Sequence, residues 1–103
     1  MQSGARAKVE KQSNEKLGLS VRPLSPEERK RAEVSGGLLA EDVAQDGPAA
    51  RAGIRPGDII LAVNGDKVAS VDEMRSLLAK HRKQAALLIL RNKQRLFVPI
   101  DLG

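Results

Sequence analysis

Side chains capable of covalent or acid–base chemistry are scarce in this 103-residue chain. It contains no cysteine, and His81 is the only histidine. These counts exclude thiol catalysis, disulfides and zinc sites built from Cys or several His residues. A serine nucleophile would need His81 as its base, but this histidine stands at a predicted helix end, and no Gly-x-Ser-x-Gly elbow occurs. We therefore expect no catalytic residue, no cofactor and no metal site.

The residues that could bind a ligand present backbone groups rather than reactive side chains. Leu17-Gly18-Leu19 stands at the head of a predicted strand. Glycine lets the chain turn so that successive N–H groups converge into a small anion nest. The terminal carboxylate of a peptide could bind there, while the peptide backbone pairs with residues 19–22 as an added strand. The alternative is a plain turn before a strand, and the spacing alone does not exclude it.

A predicted helix from Val71 to about residue 81 offers a second candidate surface. Val71, Arg75 and Leu78 lie at i, i+4 and i+7, so they share one side of this helix. They could form a groove wall, with the two apolar residues facing a ligand and Arg75 at the rim. The alternative is an ordinary stripe facing the core, which we expect for Met74 and Leu77.

Composition places the chain among small globular domains with an aliphatic core. It is 41% apolar, and Phe97 is its only aromatic residue. The longest apolar run, residues 85–90, is too short to span a membrane, and residues 1–10 do not resemble a signal peptide. We therefore expect one domain that does not insert into a membrane.

The net charge of +5 would permit binding to nucleic acid, an anionic membrane or acidic partners. No aromatic platform for stacking bases and no recognition-helix motif accompany it. A solvated charged surface is therefore favoured over nucleic-acid binding. The basic cluster in question comprises Lys80, Arg82, Lys83, Arg91, Lys93 and Arg95.

Hydrophobic period and turn signals predict the organisation of the chain. Residues 1–15 are polar and lack periodic apolar residues, which predicts a disordered linker, with the folded domain at 16–103. Ser25 and Ser70 each open a helix as part of a capping box. Strands are predicted at residues 17–22, 38–43, 59–63, 85–90 and 95–102, with a short helix at 49–52. This order predicts an α+β fold with a mostly antiparallel, curled sheet of five to six strands and two to three helices.

Several segments resemble PDZ domains. Residues 53–65, GIRPGDIILAVNG, are similar to the central signature of that family, and residues 49–52, AARA, to its short helix. Lys16-Leu17-Gly18-Leu19 resembles its carboxylate-binding loop. The strand that follows the last helix resembles the permuted strand order of bacterial members. From about Leu17 to Gly103 the chain resembles the C-terminal PDZ domain of Do-type (HtrA/Deg) periplasmic serine proteases.

Two positions depart from the family pattern. Lys16 stands where many relatives carry an aromatic residue, and Val71 stands where some animal members carry a histidine. A histidine contact that selects hydroxyl-bearing ligands is therefore not expected.

The resemblance implies a non-catalytic, periplasmic, peptide-binding regulatory module of a serine protease. It would capture C-terminal or extended apolar segments of substrate proteins by strand addition, and it would contact other domains of the parent protease. The alternative is a contact domain in the assembly of protease subunits, with an idle groove. The implied peptide-binding residues are Leu17, Gly18, Leu19, Ser20, Val21, Arg22, Val71, Arg75 and Leu78.

Overall fold

The computed structural model describes residues 12–14, 17–80 and 83–101. Several predictions lie outside these residues: the disorder of residues 1–11 and 15, the start of the domain at Lys16, and the helix-end position of His81. For residues 12–14 the description covers the backbone alone.

Seven strands and three helices make up the described residues. In chain order they are β1 (Gln12–Asn14), β2 (Leu19–Pro23), α1 (Pro26–Ala32), β3 (Leu38–Val43), α2 (Pro48–Ala52), β4 (Ile59–Val63), β5 (Asp66–Lys67), α3 (Val71–Lys80), β6 (Gln84–Arg91) and β7 (Gln94–Asp101). None of these described helices is long and apolar enough to cross a membrane.

The strands form one sheet in which every pairing is antiparallel. Its order is β1-β2-β3-β4-β6-β7, with β5 paired to β4. The predicted α+β, mostly antiparallel fold class is confirmed. The described strands include two short ones, β1, which was not among the predicted strands, and β5, which completes a hairpin at Asn64-Gly65, a dipeptide typical of tight hairpin turns. Pro99, which lacks an N–H donor, lies on the terminal strand β7, as its chemistry requires.

β4 occupies the centre of the sheet because its side chains are apolar on both faces. Ile60 and Val63 are fully buried, and the alternating Ile59 and Leu61 are half-buried. Strands with water on one face alternate apolar and polar residues, whereas this segment has no polar residue to expose. Its neighbour β6 buries Leu87 and Ile89 in the same core cluster.

Capping boxes set the start of the helices beside the core. Ser25 accepts a hydrogen bond from the Glu28 N–H, and the Glu28 carboxylate accepts one from the Ser25 N–H. Ser70 and Glu73 make the same reciprocal pair at α3. Both predicted helix starts are confirmed. α1 ends at Ala32, because Glu33 adopts a left-handed conformation with φ of 61° and its N–H caps the helix.

The N-terminal strand differs from the disorder expected for the linker. Gln12–Asn14 pairs with β2, with Gln12 opposite Val21 and Asn14 opposite Leu19. Apolar periodicity could not predict this strand, because pairing along a sheet edge uses backbone groups that every sequence has. The domain boundary at residue 16 remains a prediction.

A buried carboxylate ties the two central strands to the turn before them. Asp58 precedes β4, is only 2% exposed, and accepts hydrogen bonds from Arg91 Nε at 2.9 Å and Nη2 at 2.6 Å. It also accepts one from the Arg55 N–H at 2.9 Å. These bonds and the charge raise the pKa of Arg91, which keeps it cationic. The Asp58 side chain therefore acts structurally within the central signature.

Candidate functional site

The Leu17–Leu19 turn has its carbonyl groups directed into the protein. The Leu17 carbonyl accepts a hydrogen bond from the Ala49 N–H at 3.0 Å, and the Gly18 carbonyl accepts one from the Ala44 N–H at 2.8 Å. In a trans peptide unit the N–H points opposite to the C=O. The N–H groups of Gly18 and Leu19 therefore point away from Ala44 and α2, as an anion nest at this turn requires.

Two glycines allow this turn to lie against the loop that leads into α2. Gly18 has φ of +68°, and a Cβ added there would lie 3.2 Å from Ala44 Cβ and Gly47 Cα. A Cβ on Gly47 would lie 3.0 Å from the Leu17 carbonyl oxygen. Gly47, Ala44 and Ala49 were missed as positioning residues of the predicted nest. The available signal was the turn Asp46-Gly47-Pro48, which predicts where α2 begins but not what packs on it.

β2 presents one face to the core and one edge to a further strand. Leu19 and Val21 are 2% and 1% exposed, whereas Ser20 and Arg22 on the opposite face are half-buried. One edge of β2 pairs with β3, and the other edge pairs with β1. The edge predicted to receive a peptide thus accepts an antiparallel strand in this structure.

The face of α3 that packs on the core contains Val71, Met74 and Leu78, which are 7%, 1% and 3% exposed. They belong to the same apolar cluster as Leu17 and Leu19. The structure therefore brings the turn, the inner face of β2 and the predicted helix wall together.

The exposure of the α3 side chains can be compared with the positions predicted for them. The interior position predicted for Met74 agrees with its burial, and Leu77 packs on the cluster while staying half-buried. Arg75 is exposed on the other flank, and its role at the rim of a groove stays a prediction. Val71 and Leu78 are as buried as core residues, so in this structure they do not form an open apolar wall.

The Arg22 side chain is engaged by two carboxylates of the protein. Its Nη1 and Nη2 each lie 2.8 Å from an oxygen of Glu28, and its Nε lies 2.9 Å from Glu41 Oε2. The hydrogen bonds from Arg22 lower the pKa of Glu28 to about 2, and those to Glu28 raise the pKa of Arg22. Within the predicted site, Arg22 therefore offers its backbone, while its guanidinium anchors β2 to α1 and β3.

Three other features of the described residues were candidates for a site: acidic or histidine clusters, a cavity, and the basic cluster. They contain no cluster of His, Asp and Glu side chains that could hold a metal ion. A cavity of about 370 Å³ lies elsewhere, bordered among others by Leu61, Val68, Leu88 and Arg95, and none of the predicted site residues lines it. In the basic cluster, Arg91 is bound to Asp58 and to the Gly53 carbonyl, so its guanidinium is not a free phosphate contact.

Comparison with protein families shows to which family this fold belongs. The family model of the PDZ domain matches residues 39–91, from β3 to the end of β6. The chain belongs to the PDZ domain family. Its sequence is also 37% identical over 104 aligned positions, covering 98% of the chain, to a probable periplasmic serine endoprotease DegP-like of Pseudomonas putida strain GB-1. A DegP-like relative from Chlamydia trachomatis serovar D is 37% identical and covers 74% of the chain.

Solved structures of PDZ domains from HtrA-type proteins have the same fold. The HtrA3 PDZ domain bound to a phage-derived ligand, FGRWV, superposes with a TM-score of 0.73 and 29% identity, covering 82% of this chain and 81% of that one. The HtrA-type protease AlgW with a decapeptide gives a TM-score of 0.71 and 30% identity, covering 84% of this chain and 28% of that one. The PDZ fold and the similarity to HtrA-type proteins are thereby confirmed.

This PDZ domain corresponds to a small part of the curated proteins it resembles. The chain spans 21% of the Pseudomonas relative and 16% of the Chlamydia relative. The names of these relatives, which include protease activity, therefore describe proteins that are much longer than this chain.

Proposed function

We propose that this PDZ domain binds C-terminal or extended apolar segments of other proteins by adding them as a strand to the edge of β2. One observation carries this proposal: the β2 edge accepts an antiparallel strand whose chain runs toward the Leu17–Leu19 turn. A peptide bound in that direction would bring its carboxylate to the N–H groups of Gly18 and Leu19. The peptide complexes named for HtrA3 and AlgW support the same function.

The proposed ligand chemistry follows from the groups around the turn. The nest offers N–H donors to a carboxylate, and hydrogen bonds to a charged group contribute about 1.5–3 kcal/mol each. Leu17, Leu19, Val71 and Leu78 belong to one buried aliphatic cluster, and an apolar last residue would pack against this cluster where a bound peptide opens it.

In the parent protein we propose that this domain regulates a serine protease in the periplasm by presenting substrates. The DegP-like relatives support both the protease and the compartment through their names. The domain itself would contribute no catalytic residue, would use no cofactor, and would bind neither nucleic acid nor the membrane interior. Its partners would be polypeptide ends, unfolded segments and the other domains of the parent.

A second candidate, a contact between protease subunits, is favoured by a different surface. Phe97, the only aromatic residue, is 75% exposed on β7. A single exposed apolar side chain is common on protein surfaces, so Phe97 supports a contact with another chain only if its removal changes assembly. Sedimentation of the parent protein with Phe97→Ser, compared with the unaltered protein, tests this role. A loss of assembled species would support it, and an unchanged assembly would remove Phe97 from it.

Calorimetric titration with a peptide that ends in valine tests the peptide-binding proposal. The same peptide with an amidated C-terminus should bind at least about tenfold more weakly, because a neutral amide cannot replace the charge-assisted bonds. Equal affinity for the two would indicate recognition of internal segments without a carboxylate nest. No detectable binding of either would contradict the proposed function.

Matched glycine variants locate the binding site within the domain. Gly18→Ala would add a Cβ 3.2 Å from Ala44 and Gly47, which should displace the nest and weaken binding about tenfold. Gly65→Ala imposes a comparable left-handed strain at φ of +88°, yet a Cβ there meets nothing within 4 Å. It should lower stability and leave affinity unchanged. An equal effect of both variants on affinity would place the carboxylate site elsewhere.

A further inference from the structure

The edge of β2 that the proposed peptide needs is covered by the chain's own N-terminal segment. Gln12, Ser13 and Asn14 lie opposite Val21, Ser20 and Leu19, respectively, in antiparallel register. A single strand edge has one row of backbone N–H and C=O groups. A peptide therefore cannot pair with residues 19–21 while β1 is paired with them.

The direction of β1 matches the direction of the proposed ligand. From Gln12 to Asn14 the chain runs antiparallel to β2, and Asn14 reaches Leu19 at the entrance of the Leu17–Leu19 turn. A peptide added antiparallel to β2 would likewise end at this turn. The segment thus follows the path of a bound C-terminus, although its own chain continues through residues 15 and 16 into the turn.

That continuation makes β1 a weaker occupant than a true C-terminus. A segment in the middle of the chain has no terminal carboxylate, so it cannot supply the charged group for which the nest is suited. Its three residues, Gln, Ser and Asn, are polar and bring no aliphatic side chain to the apolar surroundings. A peptide with a free carboxylate and an apolar end would have both advantages.

We propose that Gln12–Asn14 is an internal, displaceable occupant that holds the peptide-binding edge closed until a ligand with a free C-terminus competes for it. This inference rests on the proposed peptide-binding function. Because a ligand binds only the open fraction of the protein, the measured affinity falls in proportion to that fraction. A segment that occupies the edge two-thirds of the time would weaken binding threefold.

Proline variants in the full chain break β1 without touching the site. Residues opposite each other in an antiparallel pair alternate between hydrogen-bonded and non-hydrogen-bonded positions. One variant is Ser13→Pro, and the other combines Gln12→Pro with Asn14→Pro. Together the two variants cover the hydrogen-bonded and the non-hydrogen-bonded positions, so at least one of them removes an N–H that pairs with β2. Ser13→Ala changes the same position but keeps the backbone N–H, and it serves as the matched control.

Two measurements on these variants test the inference. Titration with the valine-ended peptide should give an affinity at least about threefold higher for one or both proline variants than for Ser13→Ala and the unaltered chain. Without peptide, amide exchange should become faster in the same variant for those residues of 19–21 whose N–H groups face β1, while Ile60 and Ile89 stay protected, which also shows that the variant is folded.

Equal affinities for all chains would overturn the internal occupant and leave the peptide-binding function standing. Unchanged protection of residues 19–21 in both proline variants would also overturn it, because the edge would then not be covered by β1. Failure of every chain to bind would overturn the peptide-binding function, and the internal occupant with it.

Discussion

Two regions of this PDZ domain differ in how far their backbone and charged groups are paired within the protein. In the central region, β4 and β6 are paired on both sides, and the Asp58 carboxylate is surrounded by hydrogen-bond donors of the protein. At the groove edge, formed by the Leu17–Leu19 turn and β2, amides point away from the core and the outer pairing partner is a strand of three residues. We therefore expect stability to reside mainly in the centre, and the proposed exchange of pairing partners to take place at the edge.

Truncation of the helix that covers the core should give the largest effect. Met74 is 1% exposed within the core cluster, so Met74→Ala should leave a cavity and reduce the free energy of unfolding by about 2–5 kcal/mol. Leu77→Ala, on the half-buried flank of the same helix, should cost about 1–2 kcal/mol, because less contact is lost. Urea unfolding of both variants measures the difference. Equal costs would mean that α3 packs on the core through a wider face than its burial shows.

Removal of the central carboxylate should be nearly as damaging. Asp58→Ala leaves the Arg91 guanidinium and the Arg55 N–H without their acceptor, which should cost about 2–4 kcal/mol. Asp46→Ala, an exposed aspartate in the turn before α2, should change stability by less than about 0.5 kcal/mol. Denaturant unfolding at pH 7 compares them. If the Asp58→Ala protein were as stable as the Asp46→Ala protein, the central region would have no special role in stability.

Acid should weaken the edge through Glu28. Its pKa is lowered to about 2 by Arg22, so the unfolded chain, with a Glu pKa near 4.3, binds the proton more readily than the folded one. The contribution is therefore complete above about pH 4.5 and is lost as the pH falls toward 2. Because solvent screens this partly exposed pair, we expect a contribution of about 1 kcal/mol.

The free energy of unfolding measured between pH 6 and pH 2, for the unaltered chain and for Glu28→Gln, checks this. The Gln variant should be less stable at pH 6, and the difference should shrink toward pH 2. Parallel curves for the two proteins would show that Glu28 contributes no pH-dependent stability.

The smallest expected effect is a gain in stability far from the groove. Asn92 and Lys93 join β6 to β7 with φ of 51° and 65°, a two-residue turn in which both residues are left-handed. Lysine has no side-chain means of favouring this conformation, so Lys93→Gly should raise the free energy of unfolding by about 0.5–1 kcal/mol. Thermal unfolding measures it, and peptide affinity should not change. A loss of stability would mean that the Lys93 side chain contributes more than its backbone strain removes.

Much of this fold follows from local pattern. Residues 38–43 and 59–63 form the predicted strands, and Ser25 and Ser70 cap the predicted helices, because alternation, apolar runs and capping boxes involve residues close together in the chain. The burial of Met74 and the edge position of Pro99 follow in the same way. Glycine at position 18 likewise marked the turn where the carboxylate nest is proposed.

Tertiary contacts decided how those parts act together. The carbonyls of Leu17 and Gly18 are oriented by Ala49 and Ala44, residues about thirty positions later whose backbone N–H groups have no sequence signature. Arg22 was predicted to pair with a ligand through its backbone; only the tertiary structure shows that its side chain is held by Glu28 of α1 and Glu41 of β3. The pairing of Gln12–Asn14 with β2 is equally invisible in side-chain pattern, because a strand edge binds backbone, and every segment of sufficient reach carries the same backbone groups.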